Sequence, residues 1–137
     1  MKRSILFTLC LAMFAAACSG NDGEIKVAAA SAPLTEKGSD ALFTIEVVDA
    51  SSDGYATDKI RVHVTPPNGK PDADVVCTLD DVNKNQKVDK GDKLSCAEGP
   101  DNKLDATLAG LEITVEMFAT VDAKEKRVGD GTWTPAK

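Results

Sequence analysis

The segment from Asp81 to Asp92 carries side-chain oxygens at a regular spacing that suits metal binding. If Asp81 is counted as position 1, oxygen-bearing side chains fall at positions 1, 3, 5, 9 and 12, which are Asp81, Asn83, Asn85, Asp89 and Asp92. A chain that wraps around a hard cation presents alternate residues to it, and Ca²⁺ prefers carboxylate and carbonyl oxygens. Position 7 supplies a backbone carbonyl, here that of Lys87. The sequence therefore predicts a Ca²⁺ site with these six residues as ligands.

Two positions of this segment differ from the usual calcium loop. Position 6 normally carries Gly for a sharp turn, and Gln86 at that place costs on the order of 1 kcal/mol. Asp92 replaces the longer Glu at position 12. We therefore expect weak binding, with Kd in the range of about 10⁻⁴ to 10⁻³ M that is typical of extracellular modules. A hydrogen-bonded hairpin turn without an ion is the alternative.

The first 17 residues have the composition of a secretory signal peptide. Lys2 and Arg3 precede an apolar stretch, Ile5–Phe14, and three alanines follow it. The apolar stretch and the alanines together span 13 residues, whereas a membrane-spanning helix needs about 20. Ala15-Ala16-Ala17-Cys18 resembles the bacterial lipobox, in which the Cys thiol is diacylated and becomes the mature N-terminus. The alternative is an ordinary cleavage that leaves a free thiol on Cys18.

The lipobox resemblance implies a location in the cell envelope. Two or more acyl chains anchor a protein stably to a membrane, whereas one chain binds only marginally. Because Ser19 rather than Asp follows Cys18, the resemblance implies the outer membrane if the source is Gram-negative. Residues 18–24 have the composition of a flexible tether, and residues 25–137 remain for one folded domain.

The four cysteines separate into three roles. Cys10 lies in the signal peptide and Cys18 at the lipidation site, so Cys77 and Cys96 remain for a disulfide. Two separate buried thiols are the alternative. If the two cysteines pair across antiparallel strands, Leu79 lies opposite Leu94, and the same register places Asp81 opposite Asp92. A disulfide-stapled hairpin would thus bring the first and last ligands of the loop together.

Alternating apolar and polar residues predict strands along the rest of the domain. The alternation is clean at 43–47, 60–64 and 111–117, and weaker at 25–29, 75–79, 94–96 and 132–134. Turn-forming residues separate these segments, including the stretch 122–131. Residues 102–110 fit either a short helical turn, capped by Asn102 and ended by Gly110, or an irregular strand. About seven short strands without a long amphipathic helix predict an antiparallel, immunoglobulin-like β-sandwich.

The net charge of the chain argues against nucleic acid as a partner. The formal charge is −6, and it becomes −8 after removal of the first 17 residues, which contain Lys2 and Arg3 and no acidic residue. Three further side chains are interpreted structurally: His63 as a surface residue, Trp133 as a core or edge anchor, and Phe118 as an outward-facing aromatic.

The calcium-type segment is similar to the loop D-x-N-x-[DN]-G-x-x-D-x-G-E in the B domains of serine-aspartate repeat adhesins and in related extracytoplasmic β-sandwich modules. The resemblance covers about twelve residues, from Asp81 to Asp92. It implies a non-enzymatic, membrane-anchored protein in which calcium stabilises a sandwich used for adhesion or for binding an envelope or extracellular protein. The alternative is a metal-independent, inhibitor-like envelope module that binds its partner through the loop between Cys77 and Cys96.

Overall fold

The computed structural model of the protein describes residues 23–36, 38–69, 72–99 and 104–137. The predicted signal peptide (1–17), the lipidation site Cys18, most of the predicted tether and the predicted helix cap Asn102 lie outside the described residues. Among the described residues, no helix has the length and apolar character needed to cross a bilayer.

The described part of the chain folds into nine strands and two short 3₁₀ helices. The strands are β1 (Glu24–Ala29), β2 (Ala41–Asp49), β3 (Tyr55–Ala56), β4 (Ile60–Thr65), β5 (Ala73–Asp80), β6 (Lys87–Val88), β7 (Lys93–Ala97), β8 (Ile113–Val121) and β9 (Lys124–Trp133). The 3₁₀ helices are Thr57–Lys59 and Ala106–Leu108. The predicted antiparallel all-β fold is confirmed, because every strand pairing is antiparallel.

Seven strands form one hydrogen-bonded series in the order β1-β2-β7-β5-β4-β8-β9, and β3 and β6 form a separate two-stranded sheet. Strand β5 belongs to both halves of the series. Its first residues, Ala73–Val75, pair with β4, whereas Val76–Asp80 pair with β7. A strand that changes partners in this way makes a corner between two layers. The two layers, joined through β5, form a sandwich with a barrel-like closure.

The closure is made by β1 and β9, the two end strands of the series. Two glycines of β9 allow β1 to approach closely. A Cβ atom on Gly129 would lie 2.7 Å from Ile25 Cγ2, and one on Gly131 would lie 2.9 Å from Val27 Cγ2. Both distances are shorter than real carbon contacts, so the end strands meet only because these positions lack side chains.

The core lies between the two layers and follows the predicted alternation. The apolar faces of the three clearest predicted strands are buried, with Ile45, Val64, Ile113 and Val115 fully inaccessible to solvent. Trp133 is buried, and its ring packs against Phe43 with the centroids 5.2 Å apart. The interpretation of Trp133 as a core anchor is therefore confirmed.

Two predicted boundaries are wrong. The stretch 122–131 was expected to be a turn, but only Asp122 and Ala123 turn, and β9 begins at Lys124. The sequence does not indicate this part of the strand, because most of its residues are charged or glycine. Val128 is the main apolar residue on its buried side. The strand predicted from Leu111 begins at Ile113, because the amide of Leu111 donates to the carbonyl of Leu108 in the turn after the second 3₁₀ helix.

The ambiguous segment before β8 contains the second 3₁₀ helix. The carboxylate of Asp105 caps it by accepting hydrogen bonds from the amide and the hydroxyl of Thr107. Gly110 ends the segment with a φ of 77°, a conformation that favours glycine. Of the two alternatives, the structure has the short helical turn, which begins at Ala106 with Asp105 as its cap.

Candidate metal centre

The hairpin of β5 and β7 sets the position of the candidate calcium loop. Cys77 and Cys96 form a disulfide, and the ladder pairs Leu79 with Leu94 and Asp80 with Lys93. The predicted disulfide and the predicted pairing of Leu79 with Leu94 are therefore confirmed, and the ladder ends one pair before Asp81 and Asp92. Asp81 follows β5 directly and Asp92 precedes β7 directly, so the stapled ladder brings the two ends of the twelve-residue loop together.

Asp81 organises the first half of the loop through its carboxylate. Its Oδ1 accepts hydrogen bonds from the amides of Lys84 (2.6 Å) and Asn85 (3.3 Å), and its Oδ2 accepts one from the amide of Gln86 (2.6 Å). Three consecutive amides thus point at one carboxylate. This arrangement curls the chain around the first predicted ligand, as a calcium-type loop requires.

The two asparagines continue this curl. Asn83 Oδ1 accepts a hydrogen bond from the amide of Asn85 (3.2 Å), and Asn85 Oδ1 accepts one from the amide of Lys87 (2.8 Å). Their Nδ2 groups both point at Asp89 Oδ2, at 3.3 Å from Asn83 and 2.6 Å from Asn85. The side chains at positions 3, 5 and 9 therefore converge.

Asp89 has one oxygen that these contacts do not use. Its Oδ1 is buried and accepts no hydrogen bond. A buried carboxylate oxygen without a partner is costly, because it has lost its water and gained nothing in exchange. A cation bound in the loop would supply the missing partner.

Asp92 closes the loop from the inside of the protein. Its side chain is only 1% exposed. Oδ1 accepts a hydrogen bond from the amide of Val82 (3.0 Å), and Oδ2 accepts one from the amide of Asp89 (2.9 Å). Its carbonyl also accepts a hydrogen bond from the amide of Val47 in β2 (3.0 Å). Position 12 of the loop is thereby fixed to the core.

The segment before β4, from Asp53 to Thr57, contacts the middle of the loop. Gln86 has a φ of 61°, the left-handed conformation expected at position 6. Its carbonyl accepts a hydrogen bond from the hydroxyl of Thr57 (2.7 Å). Lys87 pairs with Ala56 in the two-stranded sheet, and Lys87 Nζ donates to the carbonyl of Asp53 (2.9 Å). These contacts hold positions 6 and 7 in place.

The donor set decides what the loop is able to bind. Within the part of the chain that the structure describes, no three His, Cys, Asp or Glu side chains are grouped so that they alone would hold a metal ion. Binding would therefore require the amide oxygens of Asn83 and Asn85 and the carbonyl of Lys87 as well. An all-oxygen set with neutral members suits Ca²⁺ rather than Zn²⁺.

A second polar cluster, which was not predicted from the sequence, lies on the outer face of the layer that contains β4, β8 and β9. Arg61 of β4 donates to Glu125 of β9 through Nε (3.0 Å) and Nη2 (2.7 Å), and to Asp74 of β5 through Nη1 (2.8 Å). Its guanidinium also lies 4.5 Å from the ring centroid of Phe118 in β8. One side chain therefore contacts three neighbouring strands.

His63 belongs to the same cluster. Its Nδ1 lies 2.7 Å from Asp74 Oδ1, and its Nε2 lies 3.5 Å from Asp72 Oδ2. Burial by itself raises the pKa of Asp74, but hydrogen bonds from His63 and Arg61 outweigh it and hold the pKa below its ordinary value. Since the two carboxylates face opposite nitrogens of the ring, His63 and this pair do not form one metal site.

A pattern in the sequence would have revealed this cluster. Arg61 and His63 alternate along one strand, Asp72 and Asp74 alternate after the next turn, and a hairpin places such pairs on one face.

Comparison of the chain with protein-family models, with curated proteins and with solved structures finds no match.

Proposed function

We propose that this protein is a non-enzymatic lipoprotein of the bacterial cell envelope, in which Ca²⁺ bound by the loop Asp81–Asp92 stabilises a β-sandwich that binds another protein. The observation that carries the proposal is the unpartnered, buried Oδ1 of Asp89. It lies in a loop whose spacing, curl and left-handed position 6 all match those of a calcium site.

The charges around the loop are consistent with weak binding. The predicted ligands include three carboxylates, but Lys84, Lys87 and Lys90 lie within the same twelve residues. Like charges near a bound cation lower its affinity. At about 1 mM free calcium, a Kd of about 10⁻⁴ to 10⁻³ M gives an occupancy between about nine-tenths and about half.

The anchoring part of the proposal rests on the lipobox resemblance at Ala15–Cys18. A diacylated Cys18 would hold the protein at the outer membrane, and the following residues would separate the sandwich from the lipid surface. The expected result is a membrane-bound protein whose N-terminal peptide carries acyl mass. Release of the protein by Cys18→Ala would support the anchor, and an unmodified N-terminal peptide would contradict it.

Calorimetric titration with CaCl₂ tests the ion site. We expect saturable binding to the wild-type protein and a loss of affinity of at least about tenfold in Asp81→Asn, because a ligand charge disappears. Asp80→Asn is the matched control, since it removes the same charge from the adjacent, exposed position of β5. Absence of binding by the wild-type protein, or equal losses in both variants, would contradict the calcium site.

One observation favours the alternative function, a metal-independent binding module. The side-chain Nδ2 groups of Asn83 and Asn85 already donate to Asp89 Oδ2, so hydrogen bonds within the loop hold it closed. A stapled loop of this kind would present Val82, which is 68% exposed, to an envelope protein. Partner capture that depends on Val82 and persists in the presence of a calcium chelator would favour this alternative.

A further inference from the structure

The start of β1 and the candidate calcium loop lie at the same end of the sandwich. Glu24, the first residue of β1, pairs with Asp49 at the end of β2. Nearby in β2, the amide of Val47 donates to the carbonyl of Asp92 (3.0 Å), and the carbonyl of Val47 accepts a hydrogen bond from the amide of Gly91 (2.9 Å). Adjacent strands lie about 4.8 Å apart and rise about 3.3 Å per residue, so about 12 Å separates the start of β1 from the end of the loop.

A lipid on Cys18 would hold this end of the sandwich close to the membrane. Gly23 follows Cys18 by five residues, and these span at most about 18 Å when fully extended. Gly23 lies against the end of β2, where an added Cβ would be 2.6 Å from the carbonyl oxygen of Asp49. Because β2 has nine residues and is about 30 Å long, the opposite end of the sandwich lies farther from the lipid than the calcium loop does.

The loop exposes side chains that suit an anionic membrane surface. Val82 is 68% exposed, and its amide donates to Asp92 Oδ1 (3.0 Å), which places it at the same end as Gly23. Lys84 and Lys90 are also exposed. Apolar side chains that enter the interface and lysines that approach acidic headgroups both favour binding to anionic bilayers.

A bound calcium ion would change the charge of the loop. Its three aspartates and three lysines cancel, so Ca²⁺ would leave the loop with two positive charges. Ca²⁺ takes six to eight oxygen ligands, and the six predicted ones leave room for phosphate oxygens of a headgroup. Without the ion, Glu24, Asp49 and Asp53 at this end would be repelled by an anionic surface. Attraction to such a surface therefore depends on calcium.

We propose that the calcium-loaded loop docks on the anionic surface of the membrane that holds the anchor, with Val82 in the interface and the ion and Lys84 on headgroup phosphates. This inference rests on the proposed function, because it needs both the calcium site and the acylated Cys18. A short tether gives an effective concentration on the order of millimolar, so weak docking is sufficient. The opposite end of the sandwich then faces away from the lipid and is open to a protein partner.

Tryptophan fluorescence of the acylated, full-length Val82→Trp variant tests the docking. The protein is reconstituted in vesicles of brominated phosphatidylcholine, with or without phosphatidylglycerol, because bromine quenches an indole that contacts the lipid. We expect quenching only when phosphatidylglycerol and CaCl₂ are both present. Val76→Trp is the matched control, since Val76 is 57% exposed in the first half of β5, away from the loop. Trp133 is buried and contributes the same background to both variants.

Lys84→Gln separates docking from ion binding. Its introduction into the Val82→Trp variant should lower the ratio of docked to free protein by about fivefold, because one lysine leaves the anionic surface. The same change should strengthen calcium binding in calorimetric titration, because a like charge near the ion disappears. Unchanged quenching, or a loss of quenching that only follows a loss of calcium affinity, would overturn the role of Lys84 in docking.

Acyl mass and calcium binding are measured on the same preparation, so that the two proposals can fail separately. If both are present and Val82→Trp is quenched no more than Val76→Trp, the docking is overturned and the proposed function stands. If either is absent, both are overturned. Hydrogen exchange of the wild-type protein gives a second measurement in case Val82→Trp folds poorly. The amides of residues 82–86 should exchange more slowly on phosphatidylglycerol vesicles with CaCl₂ than on phosphatidylcholine alone, and equal rates would contradict the docking.

Discussion

Cys77 and Cys96 lie directly opposite each other in the ladder between β5 and β7, with their Cα atoms 4.0 Å apart, and three residue pairs separate this cross-link from the candidate calcium loop. These pairs are Thr78 with Ser95, Leu79 with Leu94 and Asp80 with Lys93. Loss of the disulfide would therefore weaken the ladder that holds Asp81 and Asp92 near each other. The staple links the stability of the sandwich to the geometry of the loop.

Removal of the disulfide should lower both stability and calcium affinity. The cross-link closes a loop with a sequence separation of 19, and the chain-entropy model gives about 3 kcal/mol for a loop of that size. Urea unfolding of the Cys77→Ala/Cys96→Ala double variant measures this loss. Calcium titration of the same variant should show weaker binding, whereas an unchanged Kd would show that the ladder alone holds Asp81 against Asp92.

Replacement of Gln86 by glycine should stabilise the protein. Gln86 has a φ of 61°, and relief of the left-handed strain outweighs the greater flexibility of glycine in the unfolded chain, for a net gain of about 0.5 to 1 kcal/mol. Urea unfolding in the presence of a chelator measures the gain without an ion. Lys90→Gly is the control, because Lys90 does not have a positive φ, and it should destabilise the protein. A loss of stability in both variants would contradict the strain at position 6.

Introduction of a side chain at Gly129 should open the closure between β1 and β9. An added Cβ would lie 2.7 Å from Cγ2 of the buried Ile25, and overpacking of this kind costs about 1 to 3 kcal/mol. Gly99→Ala is the control, because a Cβ there would meet nothing nearer than 3.9 Å. Ile25→Ala should cost less in the Gly129→Ala background than alone. Additive losses in the double variant would contradict direct contact between these strands.

The sequence revealed the strands whose burial is one-sided. Ile45, Val64 and Val115 alternate with polar residues, and each lies in the core as predicted. Only the end of strand β9 was predicted, at 132–134, because its inward positions further back include Gly129 and Gly131, which leave room for β1 and so give no apolar signal. Close packing against a distant strand has no local sequence pattern.

The candidate site, like the fold, could be predicted from the sequence only in part. The candidate ligands between Asp81 and Asp92 could be predicted from their fixed spacing, and the cysteine pair determined the register of the hairpin that carries them. The hydrogen bond from Thr57 to Gln86 joins residues 29 positions apart, and it depends on the two-stranded sheet of β3 and β6. Such contacts follow from the tertiary fold and were not predictable from either segment alone.

The central claim is that the loop binds Ca²⁺, and thermal unfolding of the purified protein tests it most directly. At about 10 mM CaCl₂, a Kd of about 10⁻⁴ to 10⁻³ M stabilises the folded state by about 1.4 to 2.7 kcal/mol relative to a chelator. We predict a Tm rise of about 4 to 10 °C that MgCl₂ does not reproduce and that Asp89→Asn removes. Equal Tm values in CaCl₂ and in chelator, or the same rise in Asp89→Asn, would contradict the calcium site.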